Sequence, residues 1–281
     1  MSFKILKKEE LVPTIYRMDI RAPRIARKAQ PGQFVMLRIN EKGERVPLTI
    51  ADFDREKGTI TIVFQAIGKT TMHLSSLDEN DDIQDFIGPL GNPAHIPKDE
   101  TVILVGGGVG VAPVFPQART FAEAGNKVIS IIGARSANLL IWEKRMREVS
   151  DELYITTDDG TKGHHGFVTD IVKNILESGT KVDRVVAIGP PVMMRAVAGV
   201  TRPFNVKTIV SLNSIMVDGT GMCGACRVLV GNETKFACVD GPEFDGHFVD
   251  FTLLMNRLAM YQPEEKIAVE KYKCERQGCL C

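Results

Sequence analysis

The chain has 281 residues, 44% hydrophobic and 25% charged, and its 35 basic and 35 acidic side chains balance to a formal charge of zero. That length suits two or three domains with cores of their own, and the charge balance leaves no basic excess for neutralising phosphates, so nucleic acid is not an expected partner. The opening MSFKILKKEELVPTIY holds no apolar run of signal-peptide length, and no later stretch approaches the roughly 20 apolar residues of a membrane span; a soluble, cytoplasmic protein with no membrane partner is expected.

Residues 1–97 read as short strands. FVMLRI, PLTIADF and TITIVFQAI are rich in β-branched and aromatic residues, and PGQ, NEKGE, DREKG and GPLGNP separate them as turns. Several such strands in succession predict a closed antiparallel barrel.

Residues 98–210 change texture. TVILVGGGVGVAP is a buried strand running into glycines, followed by a helix over FPQARTFAEAGN, a strand over VISIIGA and a helix-like LLIWEKRMREV. LYITTDD, a helix near FVTDIVKNILES and RVVAIGP complete an alternation that predicts a parallel, doubly wound sheet. Gly106, Gly107, Gly108 and Gly110 fall between the strand Val102 to Val105 and a helix. Glycines there let the backbone approach a pyrophosphate and leave helix N-terminal amides free to hold it, although a tight turn without a ligand has the same composition.

Residues 211–281 are irregular and carry every cysteine of the chain, the first being Cys223. In an intracellular chain such clustering signals a metal site before a disulfide framework. Asp218-x4-Cys223-x2-Cys226-x11-Cys238 reproduces the plant-type spacing of two-iron ferredoxins with Asp in the first place. Gly219, Gly221 and Gly224 allow the loop to fold over a cluster and aim amides at its sulfurs. A zinc knuckle on Cys223, Cys226 and Cys238 is the alternative. Asp218 itself has three readings: a hard carboxylate ligand to iron, a turn residue with Gly219, or a bystander while Cys274, Cys279 or Cys281 completes the set. A helix-like HFVDFTLLMNRLAMY and a tail ending KCERQGCLC follow.

The G-G-G-x-G-x-x-P turn, with Pro113 in place, resembles that of the ferredoxin reductase superfamily, which pairs an FAD-binding barrel with a nicotinamide-nucleotide α/β domain in this order. The resemblance implies an FAD-binding β-barrel at 1–97, an NAD(P)-binding α/β domain at 98–210 and a small [2Fe–2S] domain with its tail at 211–281. RVPLTIA is similar to that superfamily's flavin strand, implying that Arg45 meets the FAD pyrophosphate while Pro47, Leu48 and Thr49 line the isoalloxazine. IGKTTMHL resembles its second pyrophosphate loop, with Gly68, Thr70 and Thr71 in the binding positions; GPLGNP matches the barrel's closing turn and carries no chemistry. Gly107, Gly108, Gly110, Val111 and Pro113 would hold the nicotinamide nucleotide, joined by Arg135 of GARS, Asp158 of TTDDG, and Gly189, Pro190 and Met193 of IGPPVMM. The last three resemble the G-P-x-x-M turn that faces the nicotinamide in electron-transfer subunits of class B dihydroorotate dehydrogenases. His164, His165, Asp158 and Asp159 read as surface, turn or ribose-contact residues, and no side chain is assigned as an acid or base.

End to end, RVPLT, GPLGNP, GGGVGVAP, TDDG, SLNSIMVDGTGMCGACRV and EFDGHFVDF resemble the small FAD and two-iron subunit of NADH-dependent reduced ferredoxin:NADP oxidoreductases, also named sulfide dehydrogenase subunits. Asp at 218, where the dihydroorotate dehydrogenase subunits are expected to carry cysteine, tips the resemblance that way. It implies hydride exchange between NAD(H) and FAD, electrons passing singly through a [2Fe–2S] cluster held by Asp218, Cys223, Cys226 and Cys238, and a larger flavin and [4Fe–4S] partner in an electron-bifurcating complex that reaches ferredoxin indirectly. With no acidic residue ending the second α/β strand and Arg135 beside it, NADP(H) stays open next to NAD(H). A dihydroorotate dehydrogenase electron-transfer subunit and a non-catalytic regulatory subunit are the competing readings.

Overall fold

A computed structural model describes residues 2–276. The first seven strands and two helices are β1 (Phe3–Val12), β2 (Ile15–Arg21), α1 (Pro23–Lys28), β3 (Phe34–Arg38), β4 (Val46–Asp54), β5 (Thr59–Gln65), α2 (Lys69–Ser75), β6 (Asp82–Ile83) and β7 (Asp85–Leu90). They form one antiparallel sheet in the order β6-β1-β2-β5-β4-β3-β7. Its two end strands are separated in the chain only by Gln84, so the sheet curls into a nearly closed barrel. Strand alternation sorts the side chains: Val35 and Leu37 fill the barrel with Ile50, Ile60, Ile62 and Phe64, while Phe34 and Met36 point the other way into a second core.

The next stretch supplies β8 (Thr101–Gly107), α3 (Val111–Glu123), β9 (Lys127–Ala134), α4 (Glu143–Glu148), β10 (Glu152–Thr157), β11 (His164–His165), α5 (Val168–Glu177), β12 (Arg184–Ile188), α6 (Pro191–Thr201) and β13 (Lys207–Ser211). Their sheet runs β11-β10-β9-β8-β12-β13 and is parallel throughout. β8 is buried on both faces: Ile103 and Val105 pack towards α5 and α6, Val102 and Leu104 towards α3 and the barrel wall. LLIWEKRMREV is not one helix. A 3-10 turn at Ala137–Leu139 is followed by extended Leu140 and by Trp142 in the left-handed region (φ 55°), and only then by α4. Packing explains the break, since the Trp142 ring meets Phe115 edge-on at 5.5 Å and takes the Arg145 guanidinium 4.3 Å from its centre.

The cysteine-bearing stretch is more regular than its composition suggests. It contains a hairpin, β14 (Arg227–Val230) with β15 (Glu233–Phe236), then β16 (Glu243–Asp245), α7 (Phe251–Leu258) and α8 (Gln262–Arg276). β16 pairs antiparallel with β13 and so becomes the seventh strand of the parallel sheet. The Asp250 carboxylate caps α7 by accepting from the Leu253 amide at 2.8 Å. Among the described residues no helix is long and apolar enough to cross a membrane.

Candidate functional site

β8 is the first strand of its sheet in sequence, yet it lies between β9 and β12, so chain progression reverses across the β8–β12 pair. A crevice beyond the carboxyl ends of two such strands is where open α/β sheets bind ligands. Here it is walled by glycine. A Cβ on Gly110 would lie 2.7 Å from the Ile188 carbonyl carbon and 2.9 Å from Gly189 Cα, all backbone, so α3 begins in direct contact with the end of β12. A Cβ on Gly106 would lie 2.8 Å from Val111 Cα, one on Gly189 2.7 Å from Met193 Cε, and one on Gly107 would strike Met193 Sδ. Met193 thus lays its thioether across both glycines. Gly108 is different: it is left-handed (φ 55°) with open space where a side chain would be, a cradle of the kind a phosphate occupies. Pro113 is the third helical residue of α3, where a missing N–H costs nothing.

Around this crevice the loops after β9 and β10 are tied together. The Ala134 and Arg135 carbonyls accept from the Asp158 and Asp159 amides at 3.1 Å each. Thr161 accepts from the Ala137 amide at 2.9 Å, and Lys162 pairs with Glu143 at 2.5 Å. The Thr161 hydroxyl, helped by its amide, holds the Asp159 carboxyl below its ordinary range. Arg135 and Asp158 are exposed and close no side-chain bond among the described residues. Sequence reasoning passed over Thr161, Lys162 and Glu143; the offset between Glu143 and Lys162, far beyond a helical turn, carries no local signal. His164 and His165 form a two-residue edge strand on β10, with His164 Nε2 3.4 Å from Asp170.

On the barrel, Pro47, Leu48 and Thr49 lie on β4 opposite Met36, Val35 and Phe34, half-buried. Arg45 precedes the strand and is exposed. Gly68 caps α2 rather than opening a loop: the Thr71 hydroxyl accepts from the Gly68 amide at 3.1 Å, and the Thr70 hydroxyl donates to Glu44 at 3.0 Å. Glu44, the residue before Arg45, is therefore tied to the segment carrying Gly68, Thr70 and Thr71. These are the two places expected to meet one pyrophosphate.

The cysteine loop lies against that barrel. Gly219, Gly221 and Gly224 are all left-handed, at φ 83°, 86° and 66°. A Cβ on Gly219 would come 2.6 Å from Met36 Cγ, on the strand next to β4. The GPLGNP turn clamps the other side: Asn92 donates its amide to the Gly241 carbonyl at 2.7 Å and its side chain to the Val239 carbonyl at 3.1 Å. Cys226 and Cys238 are buried with their sulfurs 3.2 Å apart. Burial and the neighbouring Cys226 push the Cys238 thiol up to about 12. Cys223 is exposed, and the Ala225 and Asp218 amides aimed at its sulfur lower its pKa. The Asp218 carboxylate accepts from the Thr220 hydroxyl and, through the same Oδ2, from the Thr220 amide at 2.9 Å and the Met222 amide at 3.4 Å; these bonds lower its pKa, with a smaller contribution from the Arg45 charge.

Two of the expected iron ligands are thus side by side, and the other two are joined through the loop backbone. Among the described residues no three carboxylate, thiol or imidazole groups are gathered into a metal cage. The donor set still fits an iron–sulfur cluster, because amides already converge on a thiol of lowered pKa. Cys274 lies on α8, and Cys279 and Cys281 fall outside the described residues.

Residues 104–199 match an oxidoreductase NAD-binding domain, and residues 213–250 match the iron–sulfur cluster binding domain of dihydroorotate dehydrogenase B. A dihydroorotate dehydrogenase B electron transfer subunit homolog from Thermotoga maritima is 47% identical, over 96% of this chain and 95% of that protein. A dihydroorotate dehydrogenase B electron transfer subunit from Bacillus cereus is 32% identical, over 85% and 94%. A chain from the structure of an NADH-dependent reduced ferredoxin-NADP oxidoreductase, described for flavin-based electron bifurcation, superposes with a TM-score of 0.91 at 46% identity, over 96% of this chain and 97% of that one. With the glycine-walled crevice at β8 and β12 and the cysteine loop seated on the barrel, these likenesses make this chain an oxidoreductase subunit of the ferredoxin reductase superfamily, belonging to the family of dihydroorotate dehydrogenase B electron transfer subunits and their homologues.

Proposed function

We propose that the chain works as three units: residues 1–97 holding FAD, 98–210 holding NAD(H), and 211–281 holding a [2Fe–2S] cluster through Asp218, Cys223, Cys226 and Cys238. In this reading it is the small subunit of a heterodimer whose larger partner carries a further flavin and [4Fe–4S] clusters, the complex acting as an electron-bifurcating NADH-dependent ferredoxin:NADP oxidoreductase. The observation that carries it is the packing of Gly219 on Met36, which puts the cysteine loop one strand from Pro47, Leu48 and Thr49.

When bound, FAD exchanges a hydride with the nicotinamide and releases electrons singly to the cluster. Everything else asked of the chain is binding and orientation. Gly107, Gly108, Gly110, Val111 and Pro113 let a pyrophosphate approach α3, Arg135 and Asp158 flank the adenosine end, and Gly189, Pro190 and Met193 wall the nicotinamide end. Arg45, Gly68, Thr70 and Thr71 converge on the flavin pyrophosphate, the guanidinium with paired donors. Asp218 can serve loop and iron together, since Oδ2 holds the Thr220 and Met222 amides while Oδ1 accepts no hydrogen bond within the described chain. No side chain acts as a proton donor or acceptor in the central step. The match of residues 213–250 keeps a second reading in place, the electron-transfer subunit of a dihydroorotate dehydrogenase.

The purified complex is tested anaerobically for flavin and cluster absorption, and for coupling of NADH to ferredoxin and NADP or to dihydroorotate. A colourless protein refutes the redox assignment, and turnover of dihydroorotate in place of ferredoxin and NADP selects the second reading. Asp218→Cys keeps a cluster with a changed spectrum and potential; an unchanged signal in both Asp218→Cys and Asp218→Ala removes Asp218 from the ligand set.

A further inference from the structure

A cavity of about 330 Å³ lies between the barrel wall and the C-terminal helix α8. Tyr16 and Ala66 line its barrel side with Met72 of α2, and Tyr272, Lys273 and Arg276 of α8 line the other. α8 buries none of its residues, and where it meets α2 the Tyr272 ring lies 5.9 Å from that of His73. A helix gains its stability from packing an apolar face, and this one holds its tyrosine over a space instead of filling it.

The position of that space is informative. Ala66 is two residues before Gly68, a span of at most about 7 Å, and Met72 lies one residue past Thr71, so the cavity opens beside the segment expected to meet the flavin pyrophosphate. Its lining joins ring faces and a thioether with two cations and includes no carboxylate. The neighbouring His73 reports the same positive field: burial lowers its pKa, and the Arg276 and Lys69 charges add to the effect. A flat aromatic group next to phosphates suits such walls, through stacking on tyrosine, sulfur contact and charge pairing.

We infer that this cavity seats the adenosine half of FAD, with adenine stacked on Tyr272 against Ala66 and Met72 and with α8 as its cover. The inference rests on the reading that the barrel holds FAD. It gives the C-terminal helix a task that neither the nucleotide sheet nor the cysteine loop performs: selecting the dinucleotide flavin over the mononucleotide.

The full chain, freed of flavin, is titrated separately with FAD and with FMN while flavin fluorescence is followed. Tyr272→Ala is expected to raise the FAD dissociation constant about tenfold, about 1.4 kcal/mol, and to leave the FMN constant where it was. Tyr272→Phe, which keeps the ring, is expected to bind FAD as the unaltered chain does. The inference is overturned by unchanged FAD affinity in Tyr272→Ala, by parallel loss of FAD and FMN, by loss in Tyr272→Phe equal to that in Tyr272→Ala, or by an unaltered chain that binds both flavins equally. An unaltered chain that binds neither flavin refutes the flavin reading itself, which separates the two failures.

Discussion

Replacing Gly110 by alanine tests the crevice with one added methyl. Gly110 sits at φ −62° and ψ −14°, so alanine fits its backbone without strain, and the perturbation is purely one of space. The added Cβ would lie 2.7 Å from the Ile188 carbonyl carbon and 2.9 Å from Gly189 Cα. Carbon atoms settle at about 3.5–4.0 Å, so α3 and the end of β12 must separate by about 1 Å. Neither side can yield by rotating a side chain, since the atoms met are backbone. Overpacking of this kind costs about 1–3 kcal/mol, which for a chain of this size lowers the melting midpoint by about 3–10 °C. A misplacement of about 1 Å at a reacting centre costs about 100-fold in rate. The assay is stopped-flow reduction of the holoprotein by NADH, with a thermal melt of the same sample. Gly199→Ala is the control: nothing lies within 4 Å of its added carbon, it sits within α6, and it is expected to gain about 0.5–1 kcal/mol. A Gly110→Ala protein that melts and accepts hydride as the unaltered protein does refutes the role given to the β8–β12 contact.

Other expectations concern groups away from the glycines. Glu243 is partly buried, accepts from Gln117 at 2.6 Å, and is raised by desolvation to about 7, against the opposing influence of Gln117 and Arg184. A raised carboxyl pKa means the folded chain keeps a proton that the unfolded chain has lost, so stability falls as pH rises from about 4.5 to about 7, in total on the order of 3 kcal/mol; melts at pH 5 and pH 8 are expected to differ less in Glu243→Gln, and an equal slope in both proteins contradicts the assignment. Asp52 pairs with Arg119 at 2.9 Å and with Arg145, whose guanidinium lies over the Phe115 ring, joining barrel and nucleotide sheet. Asp52→Asn leaves two half-buried cations without their shared partner, an expected loss of about 3 kcal/mol in urea unfolding, and a loss within error of zero counts against the clasp. In cluster-free protein, iodoacetamide is expected to label Cys223 before Cys226 and Cys238, as mass spectrometry of a time course shows; the reverse order would place the burial and amide contacts of that loop wrongly.

What the sequence disclosed followed from how local each signal was. The glycine run announced the strand-to-helix turn because only glycine tolerates the backbone approaches of Gly106 and Gly110, and the alternation of strands and helices carried the parallel sheet. The barrel was readable from turn residues between β-branched runs. Signals spread along the chain were not readable. Trp142 interrupts a helix-like pattern because Phe115, distant in sequence, holds its ring, with Arg145 of the following helix on the ring face. EFD reads as a fragment until β13 offers it an edge. α8 has a charged surface and no buried stripe, so nothing in its pattern says where it docks. Asp218 lies between these cases: its offset from Cys223 points to a metal, whereas its bonds to Thr220 and Met222 belong to a turn, and spacing alone carries only the first.

The strand β16 carries a consequence for how such a chain can be rearranged. Because β16 completes the nucleotide sheet, and because Cys226, Cys238, Phe244 and Phe251 share one core with Phe34 and Met36 of the barrel and Ile103 and Val105 of β8, the iron–sulfur segment is not an interchangeable cassette. Grafting a foreign cluster segment in its place would bare an unpaired strand edge and leave the common interior unfilled, so this redox chain is constrained to inherit its parts together.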